Sequence, residues 1–569
     1  MKYGSDLVID FLVAAGIEYV ALNPGASFRG LHDSLAHARQ PETVMTLHEE
    51  IAVGIAHGYA KSAGRPMAVF VHDLVGLQHA SMAIFNAWVD NVPMLVIGGS
   101  GPRDTAHRRP WIDWVHSGLP QGTLVREFVK WDDEPASLEA ISSSLARALR
   151  IATTVPMGPV YVGIDATLQE EKIGKRKFSL EPLEVPPPVV SPAEVVESVA
   201  QALLSAAQPA VVVDRPEPGV LAPLQGLVNL LAMPVLDLGA RCSFPSNHWA
   251  DQAGARSEVL AEADLVLGLE VRDLAWGLSE LNPPTRPAKL LTRDDAAIIS
   301  VGLTETQHRG FLTREALVPG ARYVISSVAG FLRALLEHLE LADLDQKQIQ
   351  ARRQALRSRH AELREGARLE ARQAEQNKPI AEAHLALCLW EAIRQESWQL
   401  ANGVLDQWPR RLWDMQDETS YLGRSGGEGL GYGLPASVGA ALAQRDSTVL
   451  VVDIQSDGDL MYTPGALWTA AHQRLPLLIV VYNNRSYGKD ELHQREIALA
   501  RDRSVDTVGI GIHIDHPGID FASLAQAQGV QGLGPVEDPA TLLGVLQKAA
   551  HIVRTERRPV LVDVICQRK

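Results

Sequence analysis

The chain has 569 residues, of which 46% are hydrophobic and 21% are charged. These values are ordinary for a folded soluble protein and exclude the fibrous and disordered classes, while the length predicts three domains. The formal net charge of −15 argues against a nucleic-acid partner, because such partners select clustered Lys and Arg.

The cysteines and the apolar runs bear on the compartment. Three cysteines, Cys242, Cys388 and Cys566, lie far apart without CxxC spacing, so neither a disulfide framework nor a zinc site is expected. The first residues lack a basic segment followed by a continuous apolar run, and no uninterrupted apolar stretch reaches about 18 residues. We therefore expect a cytoplasmic protein that is neither exported nor membrane-spanning.

The first third of the chain alternates helical and strand patterns. Residues 5 to 16 place apolar side chains at helical spacing, and EYVAL forms a short strand before the turn NPGAS. MAVFV at 67–71 and PMLVIGG at 93–99 predict further strands separated by helices. This alternation is typical of a parallel α/β sheet. We assign residues 1–183 to a first domain.

Two further α/β segments follow a proline-rich linker, EVPPPVVSP at 184–192. Residues 191–342 repeat the alternation in PAVVVD, MPVLDL and ADLVLGL, and the charged run over 343–375 predicts a solvated connecting helix. Residues 376–569 alternate again in TVLVVDI, PLLIVVY and PVLVDVI. The predicted fold is α/β, with three domains that each contain a doubly wound parallel sheet.

Oxygen-bearing side chains follow two strands of the last domain. Asp457 comes after TVLVVDI, and Asn484 lies 27 residues later, after PLLIVVY. The carboxyl ends of parallel strands share one sheet edge, so these residues can meet there. Carboxylate, amide and carbonyl oxygens suit Mg²⁺ or Ca²⁺, and the predicted ligands are Asp457, Asn484 and the carbonyl of Ser486. Alternatively, Asp457 caps a helix and the asparagines form a turn.

The stretch SDGD…NNRSYG resembles the thiamin diphosphate motif of the 2-oxo acid decarboxylase and carboligase family, which includes pyruvate decarboxylase, benzoylformate decarboxylase and acetohydroxyacid synthase. Ser456 replaces the glycine that usually begins the motif. The resemblance implies thiamin diphosphate and Mg²⁺ as cofactors, a pyrimidine-binding first domain, a Rossmann-like middle domain and a diphosphate-binding last domain. It also implies a set of residues around the diphosphate: Gly458, Asp459 and Tyr487, with Asn402 and Gly403 as further candidates.

A second segment, TLHEEIAVGIAHGYAKSAGRP at 46–66, resembles the glutamate helix of this family and places Glu49, not Glu50, in the catalytic position. In the family this carboxylate hydrogen-bonds the cofactor's pyrimidine and promotes loss of the thiazolium C2 proton, and a positioned acid–base group typically contributes about 10² to 10⁴ in rate. In RSGGEGLGYGLPASVGAALA at 424–443, Leu430 would support the bent cofactor, and the Glu428 carbonyl would accept from the pyrimidine amine. Because the family's cofactor bridges two subunits, a homodimer or homotetramer is implied.

Several local stretches resemble the benzoylformate decarboxylase branch. They are NPG at 23–25, FVHDLVGLQHASMAIFNAW at 70–88, VREFVKW at 125–131 and GALWTAA at 465–471. The resemblance implies non-oxidative decarboxylation of a small 2-oxo acid, with carboligation as a further outcome, and puts His72 at the position of an active-site histidine. Histidine titrates near neutrality and can move a proton there. A histidine satisfied at the end of a core strand is the alternative.

Two departures from this branch favour carboligation over protonation. Ala26 stands where the branch has serine, with Ser27 one place later, and Ala275 and Trp276 lie near the expected second catalytic histidine. Three other histidines are candidate substitutes: His79, His107 and His116.

Two other functions remain open. The main rival is an acetolactate synthase-like carboligase, a transferase whose relatives often bind FAD, although no GxGxxG fingerprint supports a flavin here. The other is a non-catalytic thiamin diphosphate-binding protein. Retention of Glu49 argues against this reading, because binding alone does not require the proton-transfer carboxylate.

Overall fold

The computed structural model describes residues 2–281, 288–307 and 318–568. Three parallel sheets of five or six strands follow one another along the chain, so the predicted α/β class with three doubly wound sheets is confirmed. None of the helices in these described ranges combines the length and hydropathy needed to cross a membrane.

The first sheet is parallel and has helices on both faces. Its strands are β1 (Tyr19–Leu22), β2 (Glu42–Met45), β3 (Met67–Val71), β4 (Met94–Ser100), β5 (Asp132–Asp133) and β6 (Pro159–Asp165). Its helices are α1 (Gly4–Ala14), α2 (Arg29–Ala38), α3 (Glu49–Ala63), α4 (Leu74–Val89), α5 (Ile112–His116), α6 (Leu138–Thr153) and α7 (Ala166–Glu170). The strand order is β2-β1-β3-β4-β6-β5. The central strands β3 and β4 are apolar and buried throughout, as expected for a sheet covered on both faces.

The middle sheet has the order β13-β12-β9-β7-β8 and is also parallel. The strands of this region are β7 (Pro209–Val213), β8 (Val235–Asp237), β9 (Leu265–Leu269), β10 (Ser279–Leu281), β11 (Ala288–Leu290), β12 (Ala297–Gly302) and β13 (Arg322–Ile325), of which β10 and β11 form a separate antiparallel pair. Its helices are α8 (Ala193–Ser205), α9 (Leu221–Leu231), α10 (Arg256–Glu262), α11 (Leu274–Leu278) and α12 (Val328–Leu339). The predicted connecting helix is α13 (Gln346–Gln373).

The third sheet has the order β14-β15-β16-β18-β17 and is parallel. Its strands are β14 (Trp398–Asn402), β15 (Leu450–Ser456), β16 (Leu477–Asn483), β17 (Gln531–Val536) and β18 (Val560–Ile565). Its helices are α14 (Glu382–Ile393), α15 (Trp408–Leu412), α16 (Gly433–Ala443), α17 (Asp457–Leu460), α18 (Ala466–His472), α19 (Gly488–Ala500), α20 (Phe521–Ala527) and α21 (Pro539–Glu556). Strands β15 and β16 are neighbours, so Asp457 and Asn484 leave the same edge of this sheet.

A close helix crossing joins the first and third sheets. A Cβ added to Gly58 of α3 would overlap the carbonyl of Ala436 in α16, and one added to Gly439 would overlap the carbonyl of Ile55. Glycine removes the side chains that would hold the two backbones apart. Buried apolar residues from both helices belong to one hydrophobic cluster around this crossing. The crossing therefore fixes the first residue of α3, Glu49, relative to the third sheet.

A buried ionic cluster joins the middle sheet to the first. The Asp90 carboxylate contacts His57 Nε2 at 2.9 Å, Lys61 Nζ at 2.7 Å and the guanidinium of Arg215, which follows β7. Burial opposes ionisation of Asp90, but Arg215 and Lys61 together hold its pKa well below the usual range. Lys61 also donates to the Tyr432 hydroxyl at 2.9 Å, so the cluster reaches the third domain.

Candidate active site

Glu49 begins helix α3 and is buried, with 5% of its surface exposed. His48 caps the helix by accepting the Glu50 backbone N–H at Nδ1 over 3.2 Å. The Glu49 carboxylate accepts from Asn23 Nδ2 at 3.2 Å and lies 3.2 Å from His79 Nδ1. The contacts of this carboxylate therefore come from the turn after β1 and from α4.

His79 and His48 form a stacked pair beside this carboxylate. Their ring centroids are 4.6 Å apart with an interplanar angle of 22°. One ligand atom from each of His48, Glu49 and His79 lies within 4.8 Å of the other two, so the three could also hold a metal ion. His79, which the sequence suggested as a substitute acid–base group, thus contacts Glu49 rather than His72.

His72 follows strand β3 and lies on the same corner of the sheet as Glu49. A Cβ at Gly76 would stand 2.7 Å from His72 Cβ and 3.0 Å from Glu49 Oε1, so the glycine lets both side chains approach α4. Ser27 Oγ lies 2.8 Å from His72 Nδ1, and the Asp73 backbone N–H donates to the same nitrogen at 2.8 Å. Burial, and then the neighbouring His116, lowers the pKa of His72.

The other two substitute histidines occupy different surroundings. The His107 side chain is exposed and lies 3.3 Å from Asp104. The His116 ring packs edge-to-face on His72, with the two centroids 5.4 Å apart. Only His116 of the three suggested substitutes therefore has a ring contact with His72 in the described part of the chain.

The loop after β16 and the turn after β15 gather the predicted metal ligands. Asp457 is 1% exposed and accepts backbone N–H groups from Gly458 at 2.8 Å and Arg485 at 2.6 Å. Asn484 Oδ1 accepts the Ser486 N–H at 3.0 Å. Burial raises the pKa of Asp457 to about 6 despite these hydrogen bonds. The partners named here for the buried Asp457 carboxylate are backbone N–H groups and include no positively charged side chain. Such a carboxylate is a suitable ligand for a cation.

Further side chains hold this loop in place. Glu491 is buried and accepts from Ser486 Oγ at 2.7 Å, and Arg568 Nε donates to the Asn484 carbonyl at 3.3 Å. The Tyr487 ring covers Gly458, where an added Cβ would stand 2.5 Å from the ring. Gly458 and Tyr487, both predicted at the diphosphate, therefore lie in contact beside Asp457.

Asp459 anchors the loop that carries Leu430. Its carboxylate accepts the backbone N–H groups of Gly431 at 2.6 Å and Gly433 at 3.3 Å. Leu430 projects between two glycines with 38% of its surface exposed, as an apolar support for a ligand would. Glu428 has a positive φ of 52°, and its carboxylate lies 3.8 Å from Lys489.

The weaker predictions fall at the same sheet edge but have other partners. Asn402 ends β14, and its amide donates to Asp453 at 3.1 Å and to Gln455 at 3.3 Å, while the next carbonyl, that of Gly403, accepts from Tyr421. Ser456 has φ −80° and ψ 149°, which any residue adopts, so replacing the motif's first glycine causes no strain at this position.

In the middle domain, Ala275 and Trp276 lie in α11, and half-exposed Trp276 lines a cavity of about 450 Å³ with Arg410 and Arg424.

Sequence reasoning missed the residues that support Glu49 and His72. Asn23 belongs to the NPG stretch, and Ser27 was read only as a displaced serine, yet Asn23 contacts Glu49 and Ser27 contacts His72. Asp73 directly follows His72 and accepts the Gly101 N–H, and Glu491 follows the predicted metal motif and accepts from Ser486 Oγ. Their position next to a motif was the available signal, but partners on other elements cannot be assigned from spacing.

Comparisons with known proteins match both halves of this arrangement. Residues 2–124 match the model described as thiamine pyrophosphate enzyme, N-terminal TPP binding domain, and residues 401–564 match the corresponding C-terminal TPP binding domain. The chain is 28% identical over 559 residues to benzoylformate decarboxylase of Pseudomonas aeruginosa, covering 92% of each protein. It is 24% identical over 604 residues to the mitochondrial acetolactate synthase catalytic subunit of Aspergillus candidus, covering 100% of this chain and 81% of that protein.

Solved structures share the fold over the whole chain. A thiamine diphosphate-dependent 4-hydroxybenzoylformate decarboxylase of Rhodococcus jostii RHA1 superposes with a TM-score of 0.76 at 21% identity, covering 100% of both chains. Benzoylformate decarboxylase of Polynucleobacter necessarius gives a TM-score of 0.75 at 20% identity, covering 100% of this chain and 99% of that one. The two family models match in the expected order, the relatives match over nearly the full length, and the solved structures share the fold. The chain therefore belongs to the thiamine pyrophosphate enzyme family.

Proposed function

We propose that the protein is a thiamin diphosphate- and Mg²⁺-dependent enzyme that decarboxylates a small 2-oxo acid non-oxidatively, in the manner of benzoylformate decarboxylase. One observation carries the proposal. Glu49 and His72 converge on Gly76 at the edge of the first sheet, so a carboxylate and an imidazole stand side by side. A protein that only bound the cofactor would need neither group.

The loop after β16 would hold Mg²⁺ through Asp457, Asn484 and the Ser486 carbonyl. The chemistry of these donors fits, since all are hard oxygen ligands and the carboxylate is buried. Four groups would surround the diphosphate: Gly458, Asp459, Tyr487 and, less directly, the end of β14 at Asn402 and Gly403. Leu430 and the carbonyl of Glu428 would contact the rest of the cofactor.

Thiamin diphosphate, when bound, supplies a carbon nucleophile and an electron sink for decarboxylation. The chain's own groups hold protons and orient the substrate. Glu49 is fixed by Asn23 and His79, so its carboxyl can hold one proton at a defined place. Nδ1 of His72 lies within hydrogen-bond distance of Ser27 Oγ and of the Asp73 N–H, which leaves Nε2 as the ring nitrogen that can face a substrate oxygen.

We further propose that the working enzyme is at least a dimer in the cytoplasm. The contacts of Glu49 come from the first domain, and those of the Asp457 loop come from the third. An active site that uses both Glu49 and the Asp457 loop needs a first domain and a third domain together. We expect the third domain of a partner subunit to complete it. The free, buried cysteines suit a reducing compartment.

An acetolactate synthase-like carboligase is the second candidate. The observation that favours it is helix α11, which presents Ala275 and Trp276 where the first candidate's relatives are expected to have a histidine. Without a second proton donor, the carbon that has lost carbon dioxide would attack another carbonyl instead of being protonated. The full-length similarity to acetolactate synthase is compatible with this outcome.

The test supplies the purified protein with thiamin diphosphate and Mg²⁺ and offers benzoylformate and pyruvate in parallel, following carbon dioxide and organic products. Benzaldehyde from benzoylformate supports the proposal. Acetolactate or another ligated product from pyruvate favours the second candidate. Absence of carbon dioxide from both acids, and from a panel of other aromatic and branched 2-oxo acids, would contradict both.

A further inference from the structure

Three side chains at the start of α3 and on α4 form a second cluster of metal-ligand type. His48, Glu49 and His79 each offer one ligand atom, and these atoms lie within 4.8 Å of one another. The cluster belongs to the first domain, whereas the proposed Mg²⁺ ligands Asp457 and Asn484 belong to the third. Imidazole nitrogens suit zinc, copper or nickel ions, while oxygen ligands suit Mg²⁺. The two groups of residues therefore differ in both position and metal preference.

Glu49 and His79 already have the spacing of two ligands on one metal ion. Glu49 Oε2 and His79 Nδ1 are 3.2 Å apart. Around a tetrahedral zinc ion with bonds of about 2.0 to 2.1 Å, two ligand atoms stand about 3.3 to 3.4 Å apart. A zinc ion can therefore bridge these two atoms with little movement when the His79 ring carries its proton on Nε2. The His79 side chain is 56% exposed, so its ring has room to adjust.

Asn23 holds the other oxygen of the Glu49 carboxylate. Its Nδ2 donates to Oε1 at 3.2 Å, which leaves Oε2 on the side of the imidazole of His79. A hydrogen bond of this kind orients a ligating carboxylate and contributes to metal affinity. Glu49 is buried, and no lysine or arginine within the described ranges forms an ion pair with it. Its negative charge is therefore available to a cation.

His48 supplies the third ligand from a ring that stacks on His79. The ring centroids are 4.6 Å apart, and the ring planes are inclined by 22°. His48 Nδ1 accepts the Glu50 N–H at 3.2 Å, so in the neutral ring this nitrogen has a lone pair and no proton. A metal ion that takes this lone pair replaces the hydrogen bond that caps α3. We therefore expect His48 to be the weakest of the three ligands.

We propose that His48, Glu49 and His79 form an inhibitory site for a transition-metal dication such as Zn²⁺, with water in the remaining coordination position. Metal binding at this site does not depend on the proposed function, but the inhibition rests on it. The Glu49 carboxylate cannot bind a metal ion and serve the pyrimidine of the cofactor at the same time. Zn²⁺ and thiamin diphosphate should therefore exclude each other from the first domain.

The first arm of the test measures Co²⁺ binding to the cofactor-free full-length protein in excess Mg²⁺, which keeps Co²⁺ from the proposed oxygen ligands. We expect the strong visible absorption of tetrahedral Co²⁺, and its loss when Zn²⁺ is added. Loss of a partner outside the ligand shell usually costs about 10- to 100-fold in affinity, so His79→Asn should cost at least about 100-fold and His48→Gln at least about 10-fold. The matched control is His107→Gln, an exposed histidine that lies 3.3 Å from the Asp104 carboxylate outside the cluster. Weakly absorbing octahedral Co²⁺, or binding that neither cluster substitution changes, would overturn the site.

The second arm adds Zn²⁺ to the protein with thiamin diphosphate and Mg²⁺ and follows decarboxylation of benzoylformate. The Zn²⁺ concentration for half-inhibition should rise with the concentration of thiamin diphosphate, and it should be at least about 100-fold higher in His79→Asn. A zinc chelator should restore turnover. Inhibition that depends on neither thiamin diphosphate nor His79, or full turnover with the site occupied, would refute the inhibitory role. If the wild-type protein decarboxylates no acid, the proposed function fails, and the Co²⁺ arm still decides whether the metal site exists.

Discussion

Replacing Glu49 by Gln removes the proposed proton-transfer carboxylate while keeping the shape of the side chain. Glu49 accepts from Asn23 at one oxygen, and the glutamine carbonyl can keep that bond. The new amide faces His79 Nδ1, which can accept from it in the neutral ring. With both contacts retained, the cost in folding stability should be near that of one neutral hydrogen bond, about 1 kcal/mol.

The cost in turnover should be much larger. A positioned acid–base group contributes about 10² to 10⁴ in rate, which is about 3 to 5 kcal/mol in the barrier. Thiamin diphosphate and Mg²⁺ should still bind, because the proposed contacts with the metal and the diphosphate lie in the third domain. We therefore expect decarboxylation to fall by at least about 100-fold while the dissociation constant of the cofactor changes by less than about 10-fold.

The neighbouring carboxylate supplies the control. Glu50 lies against Gly431 of the Leu430 loop, and burial, with Asp459 nearby, raises its pKa to about 7. Glu50→Gln should lower turnover far less than Glu49→Gln. The assay pairs steady-state decarboxylation with calorimetric cofactor binding on both variants. Unchanged turnover in Glu49→Gln, or a larger loss in Glu50→Gln, would refute the assignment of the catalytic carboxylate.

Three further substitutions test the metal loop, the ionic cluster between domains and a buried carboxyl group of the middle domain. Asp457→Asn should weaken Mg²⁺ binding roughly 30-fold or more in calorimetry, since losing a buried charge partner costs about 2–5 kcal/mol; unaltered binding would exclude Asp457 as a ligand. Asp90→Asn leaves Lys61 and Arg215 buried without their anion and should destabilise the protein by about 3–5 kcal/mol in urea unfolding, whereas Asp295→Asn in an exposed pair should have little effect. Burial raises the pKa of Glu270 from 4.5 to about 7, so the contribution of Glu270 to the free energy of unfolding is complete below pH 4.5 and is lost as pH rises through 7. Glu270→Gln should remove up to about 3 kcal/mol of this pH dependence, and equal slopes in the two proteins would contradict it.

The sheets and the metal loop were predictable because their signals are local. Apolar runs such as MAVFV and PLLIVVY bury both faces of a strand, and the structure places strands at Met67–Val71 and Leu477–Asn483. Asp457 and Asn484 follow neighbouring parallel strands, so the sheet itself brings them to one edge. Their roles as ligands stay predictions, but their proximity follows from strand order alone.

The partners of Glu49 and His72 could not be predicted in the same way. His79 was suggested as a substitute for a missing proton donor because it is a histidine in the right domain. Its place on α4 turns it towards Glu49 instead. Ser27 looked like a serine moved one position out of place, yet the short helical turn over Ala26–Phe28 brings its hydroxyl to His72. On a helical turn, a shift of one residue changes the direction of the side chain, and the simple alternation that applies to strands does not predict this direction.

His116 shows the limit most clearly, because it lies 44 residues after His72 on a different element. Nothing in the spacing distinguishes it from His107, which is exposed. The distinction arises only when Asp73 accepts from Gly101 and approaches Ser117, since this draws the end of α5 onto the start of α4. The two imidazoles therefore meet through contacts between the segment after β4 and the start of α4, which a separation of 44 residues in the sequence does not reveal.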